Sequence, residues 1–387
     1  MKRTLALLLA LLLLGGCAKQ EPPPSQSGPE EPPSQSGPEH PPSQSDPEHP
    51  PSQSDPEHPH ASLRYKYSAD FFDVFDTYTT VVGYAGSQEE FDSYVELIHG
   101  EMLRLHRLYD IYSDYPGITN LKTVNDSAGL APVAVDAAII DLLELAERAY
   151  EETGGAVNVA MGPVLRVWHE YREAGLADPE GARLPDMAEL RAAAEHMAIE
   201  NLIVDREAGT VLLREAGMSL DVGALAKGYA AQLAADRARE AGFTSFVLSA
   251  GGNVCAVGTP ADGRDSWSVG IQSPDSAQDL LDTVYISDMS VVSSGDYQRY
   301  YTVEEVDYHH IIDPETLLPA RRARAVTVLH PDSGQADLLS TAAYILPLEE
   351  AMALVEAHSA EGIWLLPDGS MRATEGYRAV SQMFGAD

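Results

Sequence analysis

The sequence predicts an α+β fold of mixed, largely antiparallel sheets with packed helices, and three observations carry that prediction. Strand-like and helix-like segments follow one another without a regular strand-helix-strand alternation, which argues against a doubly wound parallel sheet. Residues 63–387 show no internal boundary, so they read as one folding unit long enough for a substantial core. That stretch holds one cysteine, Cys255, so no intramolecular disulfide is available to it and packing must supply the stability.

Taken in order, FDTYTTVVGYAG reads as a strand from its β-branched and aromatic content, and SQEEFDSYVELIHGEMLRLHRLYDIY as an amphipathic helix opened by Ser87. DAAIIDLLELAERAYEETGG is a second helix ended by Gly154 and Gly155, and DMAELRAAAEH a third. NLIVDREAGTVLLREAGMSLD reads as short antiparallel strands around an Ala208-Gly209 turn, delivering the chain to Asp221. GALAKGYAAQLAADRAREAG is the next helix. FTSFVLSAGGNVCAVGT reads as a strand with a glycine break, and WSVGIQSP, TVYISDMSVVSSG and ARAVTVLHP as further strands. The last long helices begin near Gln335 and Leu348.

The folded stretch is preceded by two segments of another character. Lys2 and Arg3 stand before a leucine-rich run too short to span a bilayer comfortably, followed by Gly15, Gly16 and Cys17, which reads as an export signal over residues 1–16. The order Leu14-Gly15-Gly16-Cys17 resembles a bacterial lipobox, which implies acylation of Cys17 and a protein exported and lipid-anchored to the bacterial cell membrane, on its extracytoplasmic side. Residues 17–62 repeat the nonapeptide PPSQSGPEE, PPSQSGPEH, PPSQSDPEH, PPSQSDPEH, with no apolar side chain able to enter a core, and read as a proline-stiffened tether. Its histidines, His40, His49, His58 and His60, read as solvating residues more readily than as a metal site. The formal charge of −35 excludes nucleic acid as a partner, because phosphate backbones need a basic footprint.

Several short motifs could carry chemistry. In DVGALAKGYA, Asp221 precedes a helix whose first turns hold Gly223, Lys227 and Gly228; free N–H groups and the helix dipole suit a phosphate there. The same residues also fit a plain turn with Asp221 as N-cap, and by themselves they leave both open. Asp337 and Thr341 lie one helical turn apart in QADLLSTAAYI, near the start of that helix, and hard oxygens on one face suit Mg²⁺ over zinc; alone they describe a cap and a buried threonine more readily than a metal site. SAGGNV and SSGDYQRY end β runs in small residues, which lets a ligand reach backbone. In YHHIIDPETLLP, successive strand side chains point to opposite faces, so His309 and His310 do not share one metal ion. The nucleotide fingerprints GxGxxG and GxxxxGK[ST] are absent.

Read together and in order, DVGALAKGYA, SAGGNV, SGDYQRY, HHIIDP and ADLLSTA resemble the ApbE-type FAD:protein FMN transferases. FDT at Phe75–Thr77, DIYS around Tyr112 and GGAVNVAMGPVLRVW extend the resemblance over nearly the whole folded part. It implies a T-fold-like catalytic module of two interlocked lobes that takes FAD, releases AMP, and joins FMN through a phosphoester to a threonine or serine of an exported acceptor flavoprotein. It further implies a Mg²⁺, with Mn²⁺ left open, at the backbone oxygen of Ala224 and the side chains of Asp337 and Thr341. Phe75, Tyr112, Ala156, Val157, Asn158, Asp221, Lys227 and Ile311 match positions that line the nucleotide, and Phe75 or Tyr112 could stack on the isoalloxazine.

The family's histidine before Ile-Ile-Asp-Pro matches His310. With an imidazole near its ordinary pKa it is expected to act as general base or to orient the acceptor hydroxyl, with Asp337 as the second catalytic residue. His309 is then a supporting residue at the strand's edge, and Asp313 with Pro314 fixes the turn. Three departures stand out. Leu317 replaces a glycine, so the turn before Pro319 is expected to differ; Val157-Asn158 replaces Phe-Asp; Ala224 replaces a frequent glycine. Two other activities fit the same motifs: a Mg²⁺-dependent FAD pyrophosphatase yielding FMN and AMP, and a non-catalytic FAD-binding lipoprotein.

Overall fold

The computed structural model describes residues 64–386, all within one unit; the signal-like segment, Cys17 and the tether lie outside the described residues. Thr77–Ala85 is a strand, as its side chains predict, but it is half of a hairpin whose other arm, Tyr65–Val74, the sequence reading passed over. That arm edges an eight-stranded sheet. From it the sheet continues through Thr77–Ala85, Phe246–Ala250, Asn253–Val257, Met289–Gly295, Ala325–His330, Glu361–Leu365 and Met371–Ala373, each pair antiparallel.

Burial on both faces explains the unbroken apolar run FVLSA. Phe246 and Leu248 pack with the long helix Gln88–Tyr109 and with alanines of the helix Ala226–Glu240. Val247 faces the other way, toward Trp267, Val269 and Val284 of the hairpin Trp267–Ser273/Ser276–Ile286. The expected single strand with a glycine break is two strands, because Gly251 and Gly252 take φ of 55° and 97° and turn the chain back.

The helices follow their end signals. The Ser87 side chain accepts the Glu90 N–H, and Ala137–Glu152 ends where Gly155, at φ 88°, donates its N–H to the Tyr150 carbonyl at 2.8 Å. A further helix, Gly162–Ala177, escaped the sequence reading. Its opening Gly-Pro looks like a loop, yet Pro163 sits in the first turn, where its missing N–H costs nothing. A small sheet of Val133–Ala134, Thr210–Leu213 and Leu202–Asp205 forms a second layer. Its Leu202, Val211 and Leu213 belong to the same apolar cluster as Val326, Val328 and Trp364 of the large sheet, which is what interlocks the two parts.

Leu317 holds a turn with unusual backbone geometry. It takes the left-handed backbone a glycine would take, φ 62°, while its side chain is buried against Val164 and Trp168 and its carbonyl accepts the Trp168 indole N–H at 2.9 Å. The left-handed geometry costs a branched side chain about 1–2 kcal/mol, whereas deleting a buried leucine costs about 2–5 kcal/mol. Burial wins. Leu317→Gly is therefore expected to lower unfolding stability by about 1–3 kcal/mol in a urea titration; a raised midpoint would show backbone strain to dominate.

Candidate active site

Two helices meet end to side at the centre of the motifs. Ala226–Glu240 begins after Leu225, which offers no side-chain cap, and Gly228 lies in the first turn. The Gly228 N–H donates at 2.8 Å to Oδ2 of Asp337, from the helix Ser333–Ile345. The contact requires glycine, since a β-carbon at 228 would lie 2.4 Å from the Ser333 carbonyl oxygen. Asp337 thus caps a neighbouring helix; the cap of its own helix is Asp332, which accepts the Gln335 N–H.

This exchange frees a carbonyl. In a regular first turn the Gly228 N–H would bond to the oxygen of Ala224; with Asp337 taking that donor, the Ala224 oxygen has no backbone partner among the described residues. Asp337 is 5 % exposed, and no Lys, Arg or His among the described residues pairs with it. A buried carboxylate without a cation, an orphan carbonyl and the Thr341 hydroxyl one turn along form an oxygen donor set suited to a hard divalent ion.

Beside it, Lys227 Nζ donates at 3.1 Å to Oδ1 of Asn253, and the buried Asn253 amide nitrogen has no partner among the described residues. A buried donor at a glycine turn is available to an acceptor on a ligand or to an ordered water. The turn itself reaches back to the first hairpin: a β-carbon on Gly251 would fall 1.8 Å from Thr77 Oγ1. Phe75 and Asp76, both at φ 50°, form the tip of that hairpin, so the FDT and SAGGNV motifs are one piece of wall.

The two histidines separate by burial. His309 ends the strand Val306–His309 and is 4 % exposed; its Nε2 donates to the Ala320 carbonyl at 2.7 Å and its Nδ1 accepts the Ile311 N–H at 3.3 Å. Burial pushes its pKa down to about 4, and both nitrogens are committed, so it is an internal brace and not an edge residue. His310 lies past the strand end, where face alternation no longer applies, and it is open to solvent. Crowding, then the fields of Arg299, His309, Lys227 and Arg172, push its pKa below the ordinary value. The neutral imidazole is therefore favoured more than the ordinary pKa expected from sequence would give.

Asp221 is not an N-cap. Its Oδ1 closes a turn with the Gly223 N–H at 2.8 Å, its own N–H donates to the Val159 carbonyl, and crowding raises its carboxyl pKa against the opposing pull of Gly223, His169 and Arg299. Tyr112, 61 % exposed, is tilted over His169 at 5.4 Å, and His169 Nδ1 meets the Arg172 guanidinium at 2.9 Å. Ala156, Val157 and Ile311 sit in the main apolar cluster. Both ends of the Asn158 amide are committed, to the Ala160 N–H and the Met197 carbonyl. These four shape the wall and offer a ligand no free side-chain polar group. Sequence reasoning named neither Arg172, Arg299 nor Asn253. Arg299 and Asn253 stood inside quoted motifs, but only tertiary proximity marks them.

Segments far apart in sequence thus bring Lys227 to Asn253, Asp337 to Gly228 and the Arg299 carbonyl to the His310 N–H. The ApbE family model matches residues 75–364. The chain is 34 % identical over 267 residues to an FAD:protein FMN transferase of Treponema pallidum, covering 66 % of this chain and 73 % of that protein. It is 31 % identical over 263 residues to one of Klebsiella pneumoniae, covering 66 % and 79 %. Its fold is similar to the crystal structure of an ApbE protein of Thermotoga maritima, with a TM-score of 0.72, 28 % identity and coverage of 84 % and 100 %. The flavin transferase ApbE of Vibrio cholerae shares the fold at a TM-score of 0.67. With most of its length matched and every motif falling inside that match, the chain belongs to the ApbE family.

Proposed function

We propose that the protein is an FAD:protein FMN transferase that acts on a threonine or serine hydroxyl of an exported flavoprotein, with AMP as the leaving group. The observation that carries this reading is the cationic wall. In a chain of formal charge −35, the charges of Lys227, Arg299 and Arg172 all act on His310, and Lys227 and Arg299 have no carboxylate within ion-pair distance among the described residues. Such a wall suits a diphosphate. Asp337, the Ala224 carbonyl and Thr341 would hold a Mg²⁺ or Mn²⁺, which would supply charge neutralisation at the pyrophosphate. His310 would take the acceptor's hydroxyl proton as the acceptor oxygen bonds to the FMN phosphorus; the anhydride P–O bond breaks and its electron pair leaves with AMP.

The test is incubation of the protein with FAD, Mg²⁺ and a candidate acceptor, read by mass spectrometry. An acceptor gaining one FMN, with AMP released in equal amount, is expected. FMN and AMP formed equally fast without acceptor would make it a pyrophosphatase, and FAD held unchanged for hours would make it a binding protein. Lipid anchoring through Cys17 belongs to the same proposal. Cys17→Ser is expected to move the protein from the membrane fraction to the soluble one with activity on a soluble acceptor unchanged; a variant that stays with membranes would refute the anchor.

A further inference from the structure

His106 lies in the last turn of the helix Gln88–Tyr109, outside every motif. Its Nδ1 accepts the Phe75 N–H at 3.2 Å, and its Nε2 lies 3.3 Å from the Tyr115 hydroxyl oxygen. The Tyr115 hydroxyl donates to Asp110 Oδ2 at 2.6 Å, while Asp110 Oδ1 accepts the N–H groups of Tyr112 at 2.6 Å and Ser113 at 3.1 Å. Because Nδ1 is the acceptor, the neutral ring carries its proton on Nε2, which donates to Tyr115, whose own proton goes to Asp110. Every donor in the chain finds one acceptor.

The two ends of this chain are the Phe75 and Tyr112 loops. Phe75 and Asp76 both hold φ of 50°, in a two-residue hairpin turn that ordinarily takes asparagine and glycine. Strained backbone persists only where surroundings over-determine it. Here they are the His106 hydrogen bond, the edge contact of the Phe75 ring on the His106 ring at 5.4 Å and 74°, and the contact of Thr77 with Gly251.

We propose that His106 is a positioning residue that latches the Phe75 turn to the Tyr112 loop, so that the two aromatic residues are set before FAD binds. The proposal rests on the reading that FAD occupies this cleft. Its effect falls on binding, since a preformed wall removes ordering cost from the association step. The chemical step at His310 is untouched.

The test compares His106→Leu, which keeps bulk and removes both hydrogen bonds, with His106→Asn, whose side-chain oxygen can replace Nδ1 as acceptor for Phe75. Tyr115→Phe, lacking only a hydroxyl, cuts the chain at its middle. Faster exchange of the Phe75 amide hydrogen is expected in His106→Leu, with the FAD dissociation constant and KM raised about five- to tenfold, the worth of one hydrogen bond, and kcat nearly unchanged. His106→Asn is expected to recover both readouts and Tyr115→Phe to lie between. Faster Phe75 exchange with unaltered FAD affinity would overturn the proposal, as would equal losses in Leu and Asn. A wild-type protein that binds no FAD would overturn the reading of the cleft as well, and is told apart from the first two results by the wild-type titration alone. Should His106→Leu fail to fold, the Asn and Tyr115→Phe variants decide by the same two readouts.

Discussion

Asp337→Asn is expected to keep its fold and lose most of its transferase activity at low Mg²⁺. The amide retains an oxygen for the Gly228 N–H, so the cap between the two helices survives, while the charge that would hold the metal is gone. Losing a carboxylate ligand to a divalent ion removes several kcal/mol of charge stabilisation, so a drop on the order of 10²- to 10³-fold is expected. Raising Mg²⁺ should restore part of it. Thr341→Ala should lose less, because a neutral hydroxyl contributes less to holding the ion, and Asp337→Ala should also lower the melting temperature by removing the cap. Rates at limiting Mg²⁺ together with thermal melts separate the roles: a fully active Asp337→Asn would reduce Asp337 to a helix cap.

His310→Asn is expected to bind FAD almost normally and to transfer FMN about 10²- to 10⁴-fold more slowly, the usual contribution of a general base. His309→Asn should leave the chemical step largely intact and lower stability, since it disturbs a buried ring bonded to Ala320 and Ile311. The pH dependence adds a sign. In the free protein crowding, then Arg299, His309, Lys227 and Arg172, hold the His310 pKa below its ordinary value, so the acid limb of kcat/KM should fall at a lower pH than a free histidine would set. Bound phosphates neutralise part of that cationic wall and raise the histidine pKa toward its ordinary value. The kcat profile, which reports the complex, should therefore bend at a higher pH than kcat/KM. Single-turnover rates at saturating FAD that fall for His309→Asn and not for His310→Asn would reverse the assignment.

The ends of the elements were legible in the sequence because local chemistry sets them. Ser87 before Gln88–Tyr109 and the paired glycines after Ala137–Glu152 could be read without knowing what packs nearby. The helix Gly162–Ala177 was missed where local signals point two ways: a Gly-Pro start resembles a loop until the proline is seen to occupy the first turn. The Phe246–Val257 hairpin was missed because both arms are buried on two faces and show no alternation to mark separate strands.

The candidate site divides along the same line. By itself the sequence determined the α+β class and which motifs belong to one family, since residue types and their order survive without coordinates. Only the tertiary structure decided what those residues do to one another. It made Asp337 the cap of another helix and so freed the Ala224 carbonyl. It buried His309 and left His310 open, and it let Leu317 keep a glycine's backbone by burying its side chain. It also gathered Arg172, Lys227 and Arg299 around His310 and tied Phe75 to Tyr112 through His106. The physical reason is that burial, hydrogen-bond partnership and electrostatic field depend on groups far apart in the chain, which no local pattern encodes.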